Sequence, residues 1–239
     1  FYSLCGAYLA LFGVYFIERY GNTLTFSPGG VISSQAAAAH GAMLLGIAFA
    51  MLIGFGVKAG MFPMHAWLSA AHPVAPAPAS AVLSAVIAKA GVLAVVRVVY
   101  YIFGVSFLGG TWVQKAWMAL TLITILMGSV LAYREPVLKK RLAYSTVSQV
   151  SYILFGLSVM NMDALTGGFL HVLCHGFIKA GLFLCAGAII YKTGKTREEE
   201  LRGIGKEMPI LMWCYTILSL GLIGIPPMCG FVSKWYLAK

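Results

Sequence analysis

Residues 46–68 read GIAFAMLIGFGVKAGMFPMHAWL, an apolar run interrupted in its second half by Gly54, Gly56, Gly60 and Pro63, with Lys58 among them. Before the interruption no residue is polar, so a helix here has no face to show to water. Such a helix lies in lipid or in a large core. Proline then removes a backbone donor and clashes with the preceding turn. In a bilayer the carbonyls freed in this way need partners from protein or water. Residues 219–239, SLGLIGIPPMCGFVSKWYLAK, repeat the pattern, with breaks at Gly224, Pro226, Pro227 and Gly230 and Lys234 after them.

The whole chain shares this character. Of its 239 residues 60% are hydrophobic and 10% charged, and mean hydropathy is +0.87. A soluble domain carries about 25% charged residues. Seven acids and seventeen bases would not clothe a soluble globule, which excludes an ordinary cytosolic enzyme and a disordered chain. The fold class is all-α, a polytopic bundle of transmembrane helices. Apolar segments fall at roughly 1–17, 38–58, 79–103, 115–133, 142–160, 165–191 and 208–237, one transmembrane domain over residues 1–239. The chain opens Phe-Tyr-Ser and ends within an apolar stretch, which reads as an internal piece of a longer subunit.

The net charge of +10 does not signal nucleic acid, because the bases form no stripe. They sit in short loops or singly inside apolar runs. Arg134, Lys139, Lys140 and Arg141 follow the fourth segment, and Lys192, Lys195, Arg197, Arg202 and Lys206 follow the sixth. The opposite side holds little beyond Arg19 and Lys115. The positive-inside rule therefore places the loops after the second, fourth and sixth segments in the cytoplasm. Glu198, Glu199 and Glu200 read as a solvated loop. Cys5, Cys174, Cys185, Cys214 and Cys229 lie in apolar segments without a CxxC pair, as buried apolar residues do.

Four lysines lie inside apolar segments: Lys58, Lys89, Lys179 and Lys234. Each costs about 2.5–3.5 kcal/mol near a helix centre, and intramembrane charge is functional by default. Lysine can load and release a proton when burial moves its pKa toward neutrality, which arginine cannot do. Two interrupted helices with a lysine at each break are a pattern of inverted-repeat transporters; a packing kink is the plainer alternative. Residues 167–184, GGFLHVLCHGFIKAGLFL, place His171, His175 and Lys179 at i, i+4 and i+8. These share one broad helix face and climb about 12 Å. They read as a ladder of protonatable groups, as hydrogen-bonded core histidines, or as half of a metal site lacking a third ligand.

Ser145, Ser148, Gln149 and Tyr152 follow helical spacing and either line a hydrated path or glue helices together. His65, Trp67 and His72 border the Pro-rich stretch 72–80, where loop structure or helix capping is the expectation and proton entry the alternative. Arg97, near the outer end of its segment, reads as a snorkelling side chain.

Four stretches now combine: VKAGMFPMHAWLSAAHPVAPAPASAVLSAVIAKAG (57–91), LKKRLAYSTVSQVSYILFG (138–156), FLHVLCHGFIKAGLFLCAG (169–187) and GLIGIPPMCGFVSKWYL (221–237). Together they resemble the antiporter-like membrane subunits of respiratory complex I, of multisubunit sodium/proton (Mrp-type) antiporters, and of energy-converting hydrogenases and formate hydrogenlyases. The resemblance implies a fold of about fourteen helices with two inverted repeats and two discontinuous helices, of which this chain supplies the sixth to the twelfth. It implies that Lys58 and Lys234 are the lysines of the broken seventh and twelfth helices, that Lys89 is the base of the eighth, and that His171, His175 and Lys179 are the series of the eleventh. A fifth-helix glutamate partnering Lys58 is expected before residue 1; no acid in this chain replaces it.

The implied function is translocation of protons, with sodium as the other ion, through Lys58, Lys89, His171, His175, Lys179 and Lys234 in a redox-driven respiratory or hydrogenase-type complex. The alternative is a subunit of a sodium/proton antiporter without redox chemistry; a third is a membrane anchor with a dead channel. The sequence has no nucleotide loop, cluster-ligating cysteines or nucleophile–base pair. No catalytic residue, cofactor or metal is therefore expected in the chain. Expected partners are other antiporter-like and small membrane subunits, a peripheral iron–sulfur redox module, and lipid. The expected location is the prokaryotic cytoplasmic membrane.

Overall fold

Each apolar segment becomes a helix, the only open structure that satisfies its own backbone in lipid. A computed structural model of the chain describes residues 1–23 and 25–239. The elements are α1 (Tyr2–Tyr20), α2 (Ser34–Ala59), α3 (Ala66–Val74), α4 (Ala77–Phe103), α5 (Trp112–Arg134), α6 (Leu138–Val159), α7 (Met162–Thr193), α8 (Pro209–Ile223) and α9 (Cys229–Ala238). Within α4, Leu83–Ile87 and Arg97–Phe103 are π-helical. Among the described residues, strand pairing is limited to two isolated bridges, Gly21 with Ile32 and Val137 with Arg197.

Helices α2 and α4–α7 are long and apolar enough to cross a membrane. The second expected segment lies within α2, the interrupted run 46–68 continues past it into α3, and the seventh expected segment is split into α8 and α9. Large apolar side chains such as Phe177, Trp213 and Leu126 are more than half exposed, as lipid-facing residues are. The same placement corrects the expectation for the cysteines. Only Cys185 is buried, Cys5 and Cys174 are half-buried, and Cys214 and Cys229 point outward, where lipid is as good a solvent for a thiol as a core.

α7 is the axis of the bundle and packs on α4, α6, α8 and α9. Glycines set the closest approaches. Gly6 of α1 and Gly54 of α2 face each other: a Cβ on the first would lie 2.8 Å from the Gly54 carbonyl oxygen. Gly91 of α4 lies against the end of α2, where a Cβ would stand 2.6 Å from the Ala59 amide nitrogen.

The basic loops meet at one end of the bundle. Val137 bridges Arg197, Arg141 pairs with Glu198, and Lys140 pairs with Glu135 at 2.8 Å. Lys139 donates to the Ala75 carbonyl between α3 and α4 at 2.9 Å. The loops after the second, fourth and sixth segments therefore share a side, as their charge requires. Glu198 is not merely solvated there but ties two of these loops together. Arg97 lies over the Phe26 ring at 5.3 Å, with its guanidinium exposed.

The close approach at Gly91 has a measurable consequence. Gly91→Val forces α4 away from the end of α2, with a loss of about 1–3 kcal/mol. Thermal unfolding of the full-length protein in detergent reads this directly, and an unchanged midpoint would refute the contact.

Candidate functional site: buried bases beside two helix breaks

The two breaks share a grammar. α2 ends at Gly60 with φ +86°, and α8 ends at Gly224 with φ +89°. These are left-handed caps that favour glycine. Proline follows each, and the peptides Phe62–Pro63 and Pro226–Pro227 are cis. The freed carbonyls are satisfied differently. At the first break the Trp67 indole donates to the Val57 carbonyl at 2.7 Å, and Lys58 lies 5.6 Å over the Trp67 ring. At the second, Lys234 itself donates to the carbonyls of Leu222 and Ile223 at 2.9 and 3.0 Å. A cation there also complements the negative end of the α8 dipole. Trp67 therefore caps a helix end, as expected for its stretch, though from beyond the break.

Between the breaks lies a row of buried bases. His175 and Lys179 are 0% exposed, His171 2% and Lys89 5%. At these values no amine snorkels to a surface. Lys179 donates to the Leu142 carbonyl at 2.8 Å and to the Ser145 hydroxyl, which itself donates to Leu142. Lys89 donates back to the Ser84 carbonyl inside the π-helical turn, and the Ser84 hydroxyl bonds that of Thr146 at 2.8 Å. His175 stacks on His171 with ring centroids 5.9 Å apart. It lies within electrostatic reach of Lys89, Lys179 and Lys234, and neither of its ring nitrogens has a protein partner. Buried polar atoms of this kind are completed by ordered water.

His171 is clamped from both sides. Nδ1 meets the Ser233 hydroxyl at 2.9 Å and Nε2 meets Gln149 at 3.0 Å. Ser233 donates to the Gly230 carbonyl, so it accepts from Nδ1. Gln149 presents its oxygen or, after half a turn of the amide, its NH2. The clamp accordingly accommodates imidazolium in the first arrangement and neutral imidazole in the second.

The structure brings Lys89, His171, His175, Lys179 and Lys234 together but not Lys58. That side chain is exposed on the outer face beside α1, near Ser3 and Ala7. Among the described residues none of the four lysines pairs with a carboxylate. The polar face of α6 divides as well. Ser145, Gln149 and Tyr152 meet the row, Tyr152 lying 5.5 Å under the Lys234 ammonium. Ser148 turns to α5 instead, where it contacts the Ser129 hydroxyl at 2.9 Å and donates to the Ile125 carbonyl; it glues helices.

His72 departs from its expected role. It lies inside α3, 0% exposed, stacked on Phe183 at 4.5 Å, and caps no helix. His65 does stand at the start of α3, without a side-chain capping bond. Only the presence of a protonatable residue near the break signalled His72 in the sequence.

The family model described as "NADH:quinone oxidoreductase/Mrp antiporter, TM" matches residues 1–239. The chain belongs to that family. Among curated members of this NADH:quinone oxidoreductase/Mrp antiporter family, NADH-quinone oxidoreductase subunit N of Desulforudis audaxviator is 40% identical over 82% of this chain and 38% of its own length. F(420)H(2) dehydrogenase subunit N of Methanosarcina mazei is 35% identical over 97% of this chain and 48% of its own. The chain thus spans less than half the length of these relatives. The structure of the Mrp complex from Dietzia sp. DQ12-45-1b contains a chain that superposes with TM-score 0.85 at 29% identity, over 99% of this chain and 42% of that one.

The His171 clamp is open to test. Gln149→Ala and Ser233→Ala each leave a buried ring nitrogen unpaired, at about 1–3 kcal/mol. Because both act through one ring, their effects couple in a double-mutant cycle of thermal stability. Strict additivity would mean that His171 does not join them.

Proposed function

We propose that this chain forms the ion-conducting heart of an antiporter-like membrane subunit, with protons as the transported species. The observation that carries this reading is the row Lys89, His171, His175, Lys179 and Lys234, whose members other than His175 are held by carbonyls, hydroxyls and an amide rather than by acids. An amine still donates to a carbonyl after losing its proton. Such partners tolerate both charge states, whereas a buried carboxylate would lock the ammonium form. The unpartnered nitrogens of His175 supply the place where water links the lysines.

Protons then travel along the row between Lys89 and Lys234. Lys58, exposed beside α1, is the end at which a carboxylate supplied from outside these residues would act. The names of the two curated relatives favour a redox-driven complex, with other membrane subunits and a peripheral iron–sulfur module as partners and the prokaryotic cytoplasmic membrane as location. The likeness to the Mrp complex structure favours the second reading, a sodium/proton exchange subunit without redox chemistry.

In vesicles carrying the full-length subunit within its complex, Lys179→Ala and Lys234→Ala are expected to abolish proton translocation while the complex still assembles. Unchanged proton stoichiometry in both variants would sink the relay. Mass spectrometry of co-purifying subunits separates the two readings: iron–sulfur proteins select the first, and their absence together with sodium-driven exchange selects the second.

A further inference from the structure

One buried base remains outside the row. His72 lies near the end of α3, fully enclosed, with neither ring nitrogen bonded to protein. Its backbone is well held: Ser80 of α4 donates its hydroxyl to the His72 carbonyl at 3.1 Å. A histidine needed only for packing would leave two unsatisfied nitrogens in an apolar site, which is costly. Phe183 of α7 touches both His72 and Lys179. The imidazole stacks on its ring, and the Lys179 ammonium lies 6.0 Å from the ring centroid.

The charged groups acting on His72 are Lys179 of α7 and Lys139 of α6. They bracket it. Lys139 belongs to the basic rim, donates to the Ala75 carbonyl just beyond α3, and lines a surface depression with Ala77 and Pro78. Lys179 is held six residues further along α6, at Ser145, about 9 Å deeper by helical rise. His72 therefore occupies the step between the rim and the first fully buried amine.

We propose that His72 is a proton-carrying residue that joins the basic rim to Lys179, through the α3–α4 hairpin. This is a route onto the row separate from Lys58. The step balances without a co-reactant. A proton from water at the rim converts the imidazole to imidazolium. Its ring N–H bond then breaks as an N–H bond forms on the neutral Lys179 amine, directly or through water, and the imidazole is restored.

This inference rests on the relay reading of Lys179, and the experiment separates the two. The full-length subunit in its complex is assayed in vesicles for proton transport and its pH profile, with assembly checked on native gels. The variants are His72→Gln, His72→Asn, His72→Glu and Lys179→Ala. Two non-titratable replacements are included so that misfolding of one does not end the test. Expected is loss of most proton transport in the assembled Gln or Asn variant and substantial recovery, with a shifted pH profile, in the Glu variant. Full transport and an unaltered pH profile in Gln or Asn, with loss in Lys179→Ala, would overturn the role of His72 and leave the relay standing. Equal loss in Gln, Asn and Glu would reduce His72 to packing. Full transport in Lys179→Ala would remove the relay itself.

Discussion

A lysine inside an apolar bundle ends in three donors that lipid cannot accept. Where those donors find oxygen decides how the helices of this chain are arranged. Lys179 draws α6 to α7 through Leu142 and Ser145, Lys234 draws α9 back onto the end of α8, and Lys89 folds onto its own helix at Ser84. Each solution requires irregular or polar backbone at membrane depth: a broken helix, a π-helical turn, a helix studded with hydroxyls. Such backbone is tolerated only where protein or water covers it, so α7, packed on four other helices, lies at the centre.

The two breaks are alike in sequence and unlike in chemistry. In each a left-handed glycine closes one helix and a proline forbids its continuation. At the first, an indole takes over the loose carbonyl and Lys58 lies over its ring; at the second, the lysine does the capping itself. One break thus sets its cation over an aromatic ring, and the other has its cation tied to main chain.

Much of this was legible in the sequence. Hydropathy marked the membrane segments because lipid imposes length and apolarity on every crossing. Gly60, Pro63, Gly224, Pro226 and Pro227 marked the breaks because their backbone chemistry is local. The face shared by His171, His175 and Lys179 followed from helical geometry alone. What stayed hidden depended on distant partners. Ser148 and Gln149 are adjacent and both polar, yet about 100° apart around the helix, and only the position of α5 tells which one meets the row. His72 sits among prolines that ordinarily announce a loop; its burial is made by Phe183, far along the chain. The seat of Lys58 over the Trp67 ring is likewise made across the break, where no periodicity runs.

The π-helical turn Leu83–Ile87 carries a consequence of a different kind. A π turn accommodates one residue more than an α turn over the same height. Deleting one residue from this stretch would let it relax to α-helix with the flanking turns nearly in place, whereas the same deletion in the regular helix beside it would rotate everything upstream by about 100° relative to Lys89. In that α-helical turn the Ser84 carbonyl, which now accepts from Lys89, would take a backbone donor four residues on. Chain length across these few residues is therefore a coded quantity in its own right: one residue fewer would remove the acceptor that holds Lys89 while leaving the helix on either side in register.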